Sequence, residues 1–278
     1  MNVSILILTK NEEQDLPGCL ESVSCFDDIT VYDSCSTDKT RDIARSAGAH
    51  IVERPFDNWA SHQNWALRNI DFRYPWVFYI DADERLTIEA AAELQKIAER
   101  LDSNCVAYRI RRRDFFQERH LRYSQTSPWY IRFFIPKFVH YERLVNPVTV
   151  VDGQIGQLIN PLDHYPFSKG LSHWFARHNS YSTLEAEQIM LNCIEERHFS
   201  LSSALFEPDF NRRRYYQKEV FYRLPARPVI KFLLIYLVKR GFLDGRPGLT
   251  YALLQSIYET MICLKVDELK HKRANKKR

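Results

Sequence analysis

Val3-Ser4-Ile5-Leu6-Ile7-Leu8 opens the chain as an apolar run that breaks at Thr9-Lys10-Asn11-Glu12-Glu13. A short run of this kind, bounded by polar residues, reads as a strand buried on both faces. Leu16, Leu20 and Val23 then repeat at helical spacing. Ile29-Thr30-Val31-Tyr32 is a second strand, ending in Asp33-Ser34-Cys35-Ser36-Thr37-Asp38. Ser36 or Thr37 is expected to cap the next helix, and Gly48 to close it. A short strand over 49–52, a helix over 58–69, the buried strand Trp76-Val77-Phe78-Tyr79-Ile80 and a helix from Thr87 to about Leu101 follow. Strands and helices alternating through short joints predict a mostly parallel sheet with helices on both faces, an α/β architecture.

Three strand ends therefore open on one edge: Thr9 to Glu12, Asp33 to Asp38, and Asp81 to Glu84. Ligands bind at the carboxyl ends of strands in such sheets. Side chains alternate along a strand, so Asp81 and Asp83 point the same way and can share a divalent cation that carries a diphosphate. The plainer reading of Asp81-Ala82-Asp83-Glu84 is a polar turn before a helix. Glu12, Glu13 and Asp38 can equally be first-turn helix acids, and Gln63 and Asn64 can be helix surface. There is no GxGxxG and no GxxxxGK[ST], which removes support for dinucleotide and P-loop chemistry.

The second half changes character. Val106 to Arg113 alternates into a basic strand, and Tyr130-Ile131-Arg132-Phe133-Phe134 is another, carrying Arg132. Lys169 to Asn192 reads as a long helix with His173, Trp174, His178, Asn179, Tyr181 and Ser182, whose aromatic and amide tips can line an acceptor groove; for most of them a helix packed over the sheet with a wet outer face is the favoured reading. From Arg212, basic and aromatic residues interleave: Arg212, Arg213, Arg214, Tyr215, Tyr216 and Lys218. Apolar helices over 229–238 and 249–264 flank a break at 241–248, and a basic tail runs from Lys270 to Arg278. Apolar faces bordered by lysine, arginine and tyrosine suit an anionic membrane surface; a helical hairpin packed on protein is the alternative.

Composition adds limits. The 278 residues are 45% hydrophobic and 27% charged, an ordinary globular balance. A net charge of +4 gives no ground for nucleic-acid binding. The six cysteines form no CxxC pair, and with no signal peptide they read as reduced thiols in a cytosolic chain. No stretch reaches the roughly 18 apolar residues of a membrane span.

Ile5-Leu6-Ile7-Leu8-Thr9-Lys10-Asn11-Glu12-Glu13, Asp33-Ser34-Cys35-Ser36-Thr37-Asp38-Lys39-Thr40 and Asp81-Ala82-Asp83-Glu84 together resemble glycosyltransferase family 2, in order and separation. The resemblance implies a GT-A fold. It places Thr9, Lys10, Asn11, Glu12, Asp33 and Asp38 around a nucleotide-sugar, with Gln63 and Asn64 flanking it. It further implies Asp81 near the ribose or the metal, Asp83 on a divalent cation (Mn2+ or Mg2+), His164 as a further ligand, and Arg132 near the diphosphate. Cys35 stands where the family usually has glycine. Relatives carry a His-Glu or Asn-Glu pair as base, which points to Glu142 after His140. The register from Gly153 instead lands on Asn146-Pro147, which leaves Asp152 or an acid near Asp83 as alternatives. Tyr222-Arg223-Leu224-Pro225-Ala226-Arg227-Pro228 and Gly241-Phe242-Leu243-Asp244-Gly245 resemble bacterial glucosyltransferases of the lipopolysaccharide inner core and related surface-polysaccharide enzymes.

The expectation is thus a catalytic domain over 1–168, its nucleotide-binding half about 1–105 and its acceptor half about 106–168, followed by a helical membrane-associating extension over 169–278. It is an inverting hexosyltransferase taking glucose, or another hexose, from a UDP-sugar to a lipid-linked saccharide, peripheral on the cytoplasmic face of the inner membrane. Two rivals stand beside it: a nucleotidyltransferase, which would show a glycine-rich basic loop after the first strand, and a membrane-associated protein that kept the fold and lost the chemistry.

Overall fold

The computed structural model describes residues 2–100, 104–125, 127–142, 148–194, 201–207, 213, 216–217 and 220–276. It divides into two compact units, Met1–Phe115 with Ser127–Ser168, and Phe116–Thr126 with Lys169–Arg278.

The first unit is built on a mixed sheet. Its strands are β1 (Val3–Thr9), β2 (Ile29–Asp33), β3 (His50–Glu53), β4 (Trp76–Asp81), β5 (Glu84–Arg85), β6 (Cys105–Phe116), β7 (Trp129–Phe134), β8 (Val139–Glu142), β9 (Val148–Val151), β10 (Gln154–Gln157) and β11 (Leu162–His164). The helices are α1 (Leu16–Ser22), α2 (Thr40–Ser46), α3 (Trp59–Asn69) and α4 (Ile88–Ala98). The order across the sheet is β3-β2-β1-β4-β7-β6-β11-β5, with β10 also on β6 and β8–β9 as a separate hairpin. From β3 to β4 the strands are parallel, as alternating strands and helices require. β7 then enters antiparallel to both β4 and β6. That reversal is what makes the sheet mixed.

Alternation along β1 divides the core into two layers. Ile5 and Ile7 pack with Leu16, Leu20, Phe78 and Leu94, whereas Leu6 packs with Tyr32, Ala60, Ala66 and Val77 on the other face. Each such fully buried aliphatic contributes about 1.5–3 kcal/mol. Local signals set the helix starts. The Asn58 side chain accepts the Ser61 N–H at the start of α3, and the Thr87 hydroxyl accepts the Ala90 N–H at the start of α4. α2 departs from expectation: it begins at Thr40, because Ser36 is drawn to Asp33 and Asp38 accepts the Thr40 N–H instead.

The second unit is helical: α5 (Gly170–Ile194), α6 (Leu201–Phe206), α7 (Arg227–Leu233), a π-helical turn (Leu234–Val238), a 3-10 turn (Gly241–Asp244) and α8 (Gly245–Lys276). The expected helix over 249–264 is longer at both ends. Its charged tail stays helical, with Glu268 and Lys272 paired four residues apart. Ala186, Ile189, Ile262 and Val266 form the seam between α5 and α8. A buried ion pair joins Arg227 to Glu259 at 3.0 Å. Phe116–Thr126 belongs to this unit. Asp244, buried, accepts N–H bonds from Arg122, Tyr123 and Ser124 and the Ser124 hydroxyl. Gly241 and Gly248 allow this close approach: a Cβ on Gly248 would stand 2.1 Å from the Gly241 carbonyl oxygen. Among the described residues, no helix is long and apolar enough to cross a membrane. Arg212, Arg214, Tyr215, Lys218 and the last two residues of the basic tail lie outside the described residues.

Candidate active site

The carboxyl ends of β1 and β2 are locked together. Asp33 is wholly buried. It accepts the Thr9 hydroxyl at 2.8 Å, the Ser36 N–H at 2.7 Å and the Ser36 hydroxyl at 2.5 Å. Its carboxylate thus faces the loop rather than open space. Lys10 reaches across to donate to the Ser34 and Cys35 carbonyls, at 2.8 and 2.7 Å. Asn11 accepts the Thr37 N–H, and the Glu12 N–H donates to the Thr40 hydroxyl. Cys35 has φ of 60°, so the tight turn forms without glycine. Burial alone would raise the Asp38 carboxyl, but the Thr40 hydroxyl and the N–H groups of Thr40 and Glu13 donate to it and hold it below the usual range. Asp38 therefore sits just ahead of α2 and ties the Glu13 and Thr40 backbones together, while Asp42 is the acid in the first turn of the helix.

The end of β4 carries the charge. Asp81 Oδ1 accepts the Tyr79 hydroxyl at 2.7 Å, and Oδ2 accepts Arg132 at 2.5 Å. Arg132 is buried, lies over the Tyr79 ring, and also donates to Glu84 at 3.1 Å. Glu84 has no exposed surface, and it accepts Arg112 and the Asp81 N–H as well. Burial raises the Glu84 carboxyl while Arg132 and Arg112 pull it down. Burial opposes the charge on Arg132, but Asp81 and Glu84 outweigh it and its pKa is raised. Arg132, expected beside a diphosphate, is thus committed to two carboxylates.

His164 arrives by topology. β11 lies parallel to β6 and antiparallel to β5, which registers His164 against both Asp114 and Glu84. Its Nδ1 bonds Asp114, and its Nε2 stands 3.4 Å from Asp83 Oδ2. Burial alone would lower His164, but the bonds to Asp114 and Asp83 prevail and push it up to about 9. Of the three expected metal ligands, Asp83 and His164 stand side by side. Asp81 is engaged by Tyr79 and Arg132, and among the described residues no group of three His, Cys, Asp or Glu side chains stands ready for a metal. Asp83 and His164 still fit a divalent cation that brings phosphate oxygens with it. They are an oxygen and a nitrogen ligand side by side, and the imidazole is oriented by a carboxylate on its far nitrogen.

α3 joins this edge to β8. Gln63 donates to the Tyr79 hydroxyl at 3.3 Å, and its buried Oε1 has no partner. Asn64 is spent differently: its amide clamps the Tyr141 backbone, donating to the carbonyl at 2.7 Å and accepting the N–H at 2.8 Å. Asn64 is therefore a tether for β8. Tyr141 is buried in the same cluster as Tyr79, whose hydroxyl bonds Asp81, which places the root of β8 beside the site. Glu142, the next residue, is exposed and pairs with His140 at 3.3 Å. Asp152 is also exposed. Asn146 and Pro147 lie outside the described residues. Sequence reasoning missed Tyr79, Arg112 and Asp114. Only the acid directly after the basic run of β6 hinted at Asp114.

Charged and polar side chains gathered at the carboxyl edge of an α/β sheet suit a group-transfer enzyme, and the comparisons narrow the class. Residues 4–156 match glycosyl transferase family 2. The chain belongs to that family and is a glycosyltransferase, with the GT-A-like α/β fold expected of it. The lipopolysaccharide core biosynthesis glycosyltransferase LpsC of Rhizobium meliloti is 27% identical over 91% of this chain and 89% of its own. An uncharacterized glycosyltransferase of Rickettsia typhi is 27% identical over 77% of this chain and 78% of its own. Among solved structures, glucosyl-3-phosphoglycerate synthase from Mycobacterium tuberculosis, in complex with Mn2+, UDP-glucose and phosphoglyceric acid, is 20% identical with a TM-score of 0.33, over 40% of this chain and 43% of that one.

Proposed function

We infer that the protein is an inverting, metal-dependent hexosyltransferase that moves a hexose, glucose foremost, from a UDP-sugar to a lipid-linked saccharide of the bacterial envelope. The observation that carries this reading is the approach of His164 to Asp83 at the sheet edge shared with the Thr9 and Asp33 loops. The LpsC likeness, which runs through nearly the whole chain, supports the acceptor class.

Asp83 and His164 would hold Mn2+ or Mg2+ on the diphosphate. Bound there, the cation offsets charge on the leaving group. Thr9, Lys10, Asn11 and Asp33 shape the nucleoside pocket, with Asp33 acting as a positioning residue through Thr9 and Ser36. Gln63 offers its buried Oε1 to a ribose hydroxyl. An acceptor hydroxyl attacks the anomeric carbon in line. The new C–O bond forms as the bond to the diphosphate oxygen breaks, the electron pair leaves with that oxygen, and the acceptor proton passes to Glu142.

The helical unit supplies the reason for a lipid-linked acceptor. Leu237, Val238, Phe242 and Leu243 are exposed around the π-helical and 3-10 turns, with Lys231, Lys239 and Arg240 among them. Apolar side chains interleaved with cations favour the surface of an anionic membrane, which agrees with a peripheral enzyme on the cytoplasmic face of the inner membrane.

Thermal unfolding with UDP-, GDP- and dTDP-glucose, each with and without Mn2+, tests the donor. The UDP-sugar with Mn2+ should raise the midpoint most, since a ligand of the folded state stabilises it. Asp83→Ala should cut transfer by at least about 100-fold at an unchanged unfolding midpoint. Normal turnover in that variant overturns the assignment.

A further inference from the structure

Phe56 and Trp59 are large aromatic residues left 46% and 48% exposed. Their rings meet edge to face with centroids 5.1 Å apart. They lie just beyond the carboxyl end of β3, in the segment that leads into α3. That segment is tied to β2: the Arg54 N–H donates to the Asp33 carbonyl at 3.0 Å, and the His62 ring lies 3.2 Å from the Ser34 hydroxyl. It is also stiff. Arg54 grips Asp57 with two guanidinium nitrogens, at 3.1 and 2.7 Å, and Asn58 caps the helix behind it. Phe56 packs against His62 at 5.3 Å, and His62 stacks on the buried Tyr32 at 4.2 Å. A ladder of rings therefore rises from the core, and its last two members present bare faces to solvent beside the Asp33 loop.

Burying exposed aromatics is favourable, and a loop built this firmly spends little entropy in doing so. The position sets the occupant. β4, β1, β2 and β3 are neighbours in that order. Three strand spacings put the ends of β3 and β4 about 14 Å apart, a span that an extended nucleoside diphosphate covers when its phosphates sit at Asp83. A base is the flat, weakly polar end of that ligand.

We propose that Phe56 and Trp59 form the stacking platform for the nucleobase of the donor. This rests on the nucleotide-sugar reading above. The platform contributes affinity for the base and none for the diphosphate, because ring stacking needs a π face and phosphates have none.

The test uses the full-length protein with Mn2+ and two probes: inorganic pyrophosphate, and whichever of UDP, GDP or dTDP binds the wild type most tightly. Dissociation constants are measured by titration calorimetry for wild type, Phe56→Ala, Trp59→Ala and Trp59→Phe. Each alanine variant should weaken nucleotide binding by about 5- to 150-fold while leaving pyrophosphate unchanged. Trp59→Phe should recover most of the loss. Unchanged nucleotide affinity in both alanine variants overturns the proposal, and so does an equal loss for pyrophosphate. A wild type that binds pyrophosphate but none of the three nucleotides removes the donor reading itself, and the platform with it.

Discussion

The imidazole of His164 is pinned through Nδ1 by Asp114, which leaves Nε2 3.4 Å from Asp83 Oδ2. Asp114 belongs to β6 and is buried, so it reaches bound substrate only through His164. Replacing Asp114 with Asn keeps the volume and removes the charge. Such a change behind a ligating histidine costs about 10- to 100-fold in metal affinity. Calorimetric titration of Mn2+ in the presence of UDP should show a loss of that size for Asp114→Asn. An unchanged Mn2+ affinity would mean that the carboxylate serves packing alone.

Cys35 holds φ of 60° at the turn after β2. Left-handed backbone costs a residue with a Cβ about 1 kcal/mol or more. Cys35→Gly should therefore raise stability by about 1 kcal/mol in urea unfolding, with the Lys10 bonds to the Ser34 and Cys35 carbonyls kept. A destabilised glycine variant would show that the thiol packs usefully.

His62 gives a pH dependence. Burial, then the neighbouring Arg54, lower it from 6.5 to about 4. Arg54 and the Tyr32 hydroxyl both approach Nδ1, a geometry that suits the neutral ring. Below pH 6.5 the unfolded chain takes up a proton that the folded one refuses. Stability contributed by His62 is therefore complete above 6.5 and falls as pH drops toward 4. The slope reaches about 1.4 kcal/mol per pH unit. Urea midpoints measured at several pH values across this window should fall with pH in the wild type and fall less in His62→Gln.

Asp244 gathers the backbone of 122–124 in the helical unit. Asp244→Ala leaves the buried Ser124 N–H and hydroxyl without their acceptor, at a cost of about 2 kcal/mol or more. Faster proteolytic cleavage within 116–126 is the expected sign, with a lower unfolding midpoint. A variant as resistant as wild type would show that other contacts hold the loop.

Much of the first unit was legible because its strands are unbroken apolar runs ending in polar residues, a pattern that Ile7-Leu8-Thr9 and Ile80-Asp81 write plainly. The direction of a side chain was not. Asp33 reads as a strand-end acid open to ligand, yet Thr9 and Ser36 draw it inward. Asn64 reads as a helix amide, but its partner Tyr141 is 77 residues away in sequence. Asp114 and His164 are 50 apart and meet only through strand pairing. Periodicity reports which face is buried; it carries no record of which distant strand comes to lie alongside. The entry of β7 antiparallel between β4 and β6 has the same origin, since a strand's own residues do not state its direction.

The wedge of Arg132 between Asp81 and Glu84, with Arg112 behind, has a consequence for the order of events at the cleft. Two acids near the end of β4 are already answered by two guanidiniums. A naked divalent ion therefore meets little surplus negative potential there, and the diphosphate must bring most of the charge that attracts it. On the proposed reading, donor and ion would enter as one package, and the free protein would stay nearly blind to manganese or magnesium until a nucleotide escorted it in.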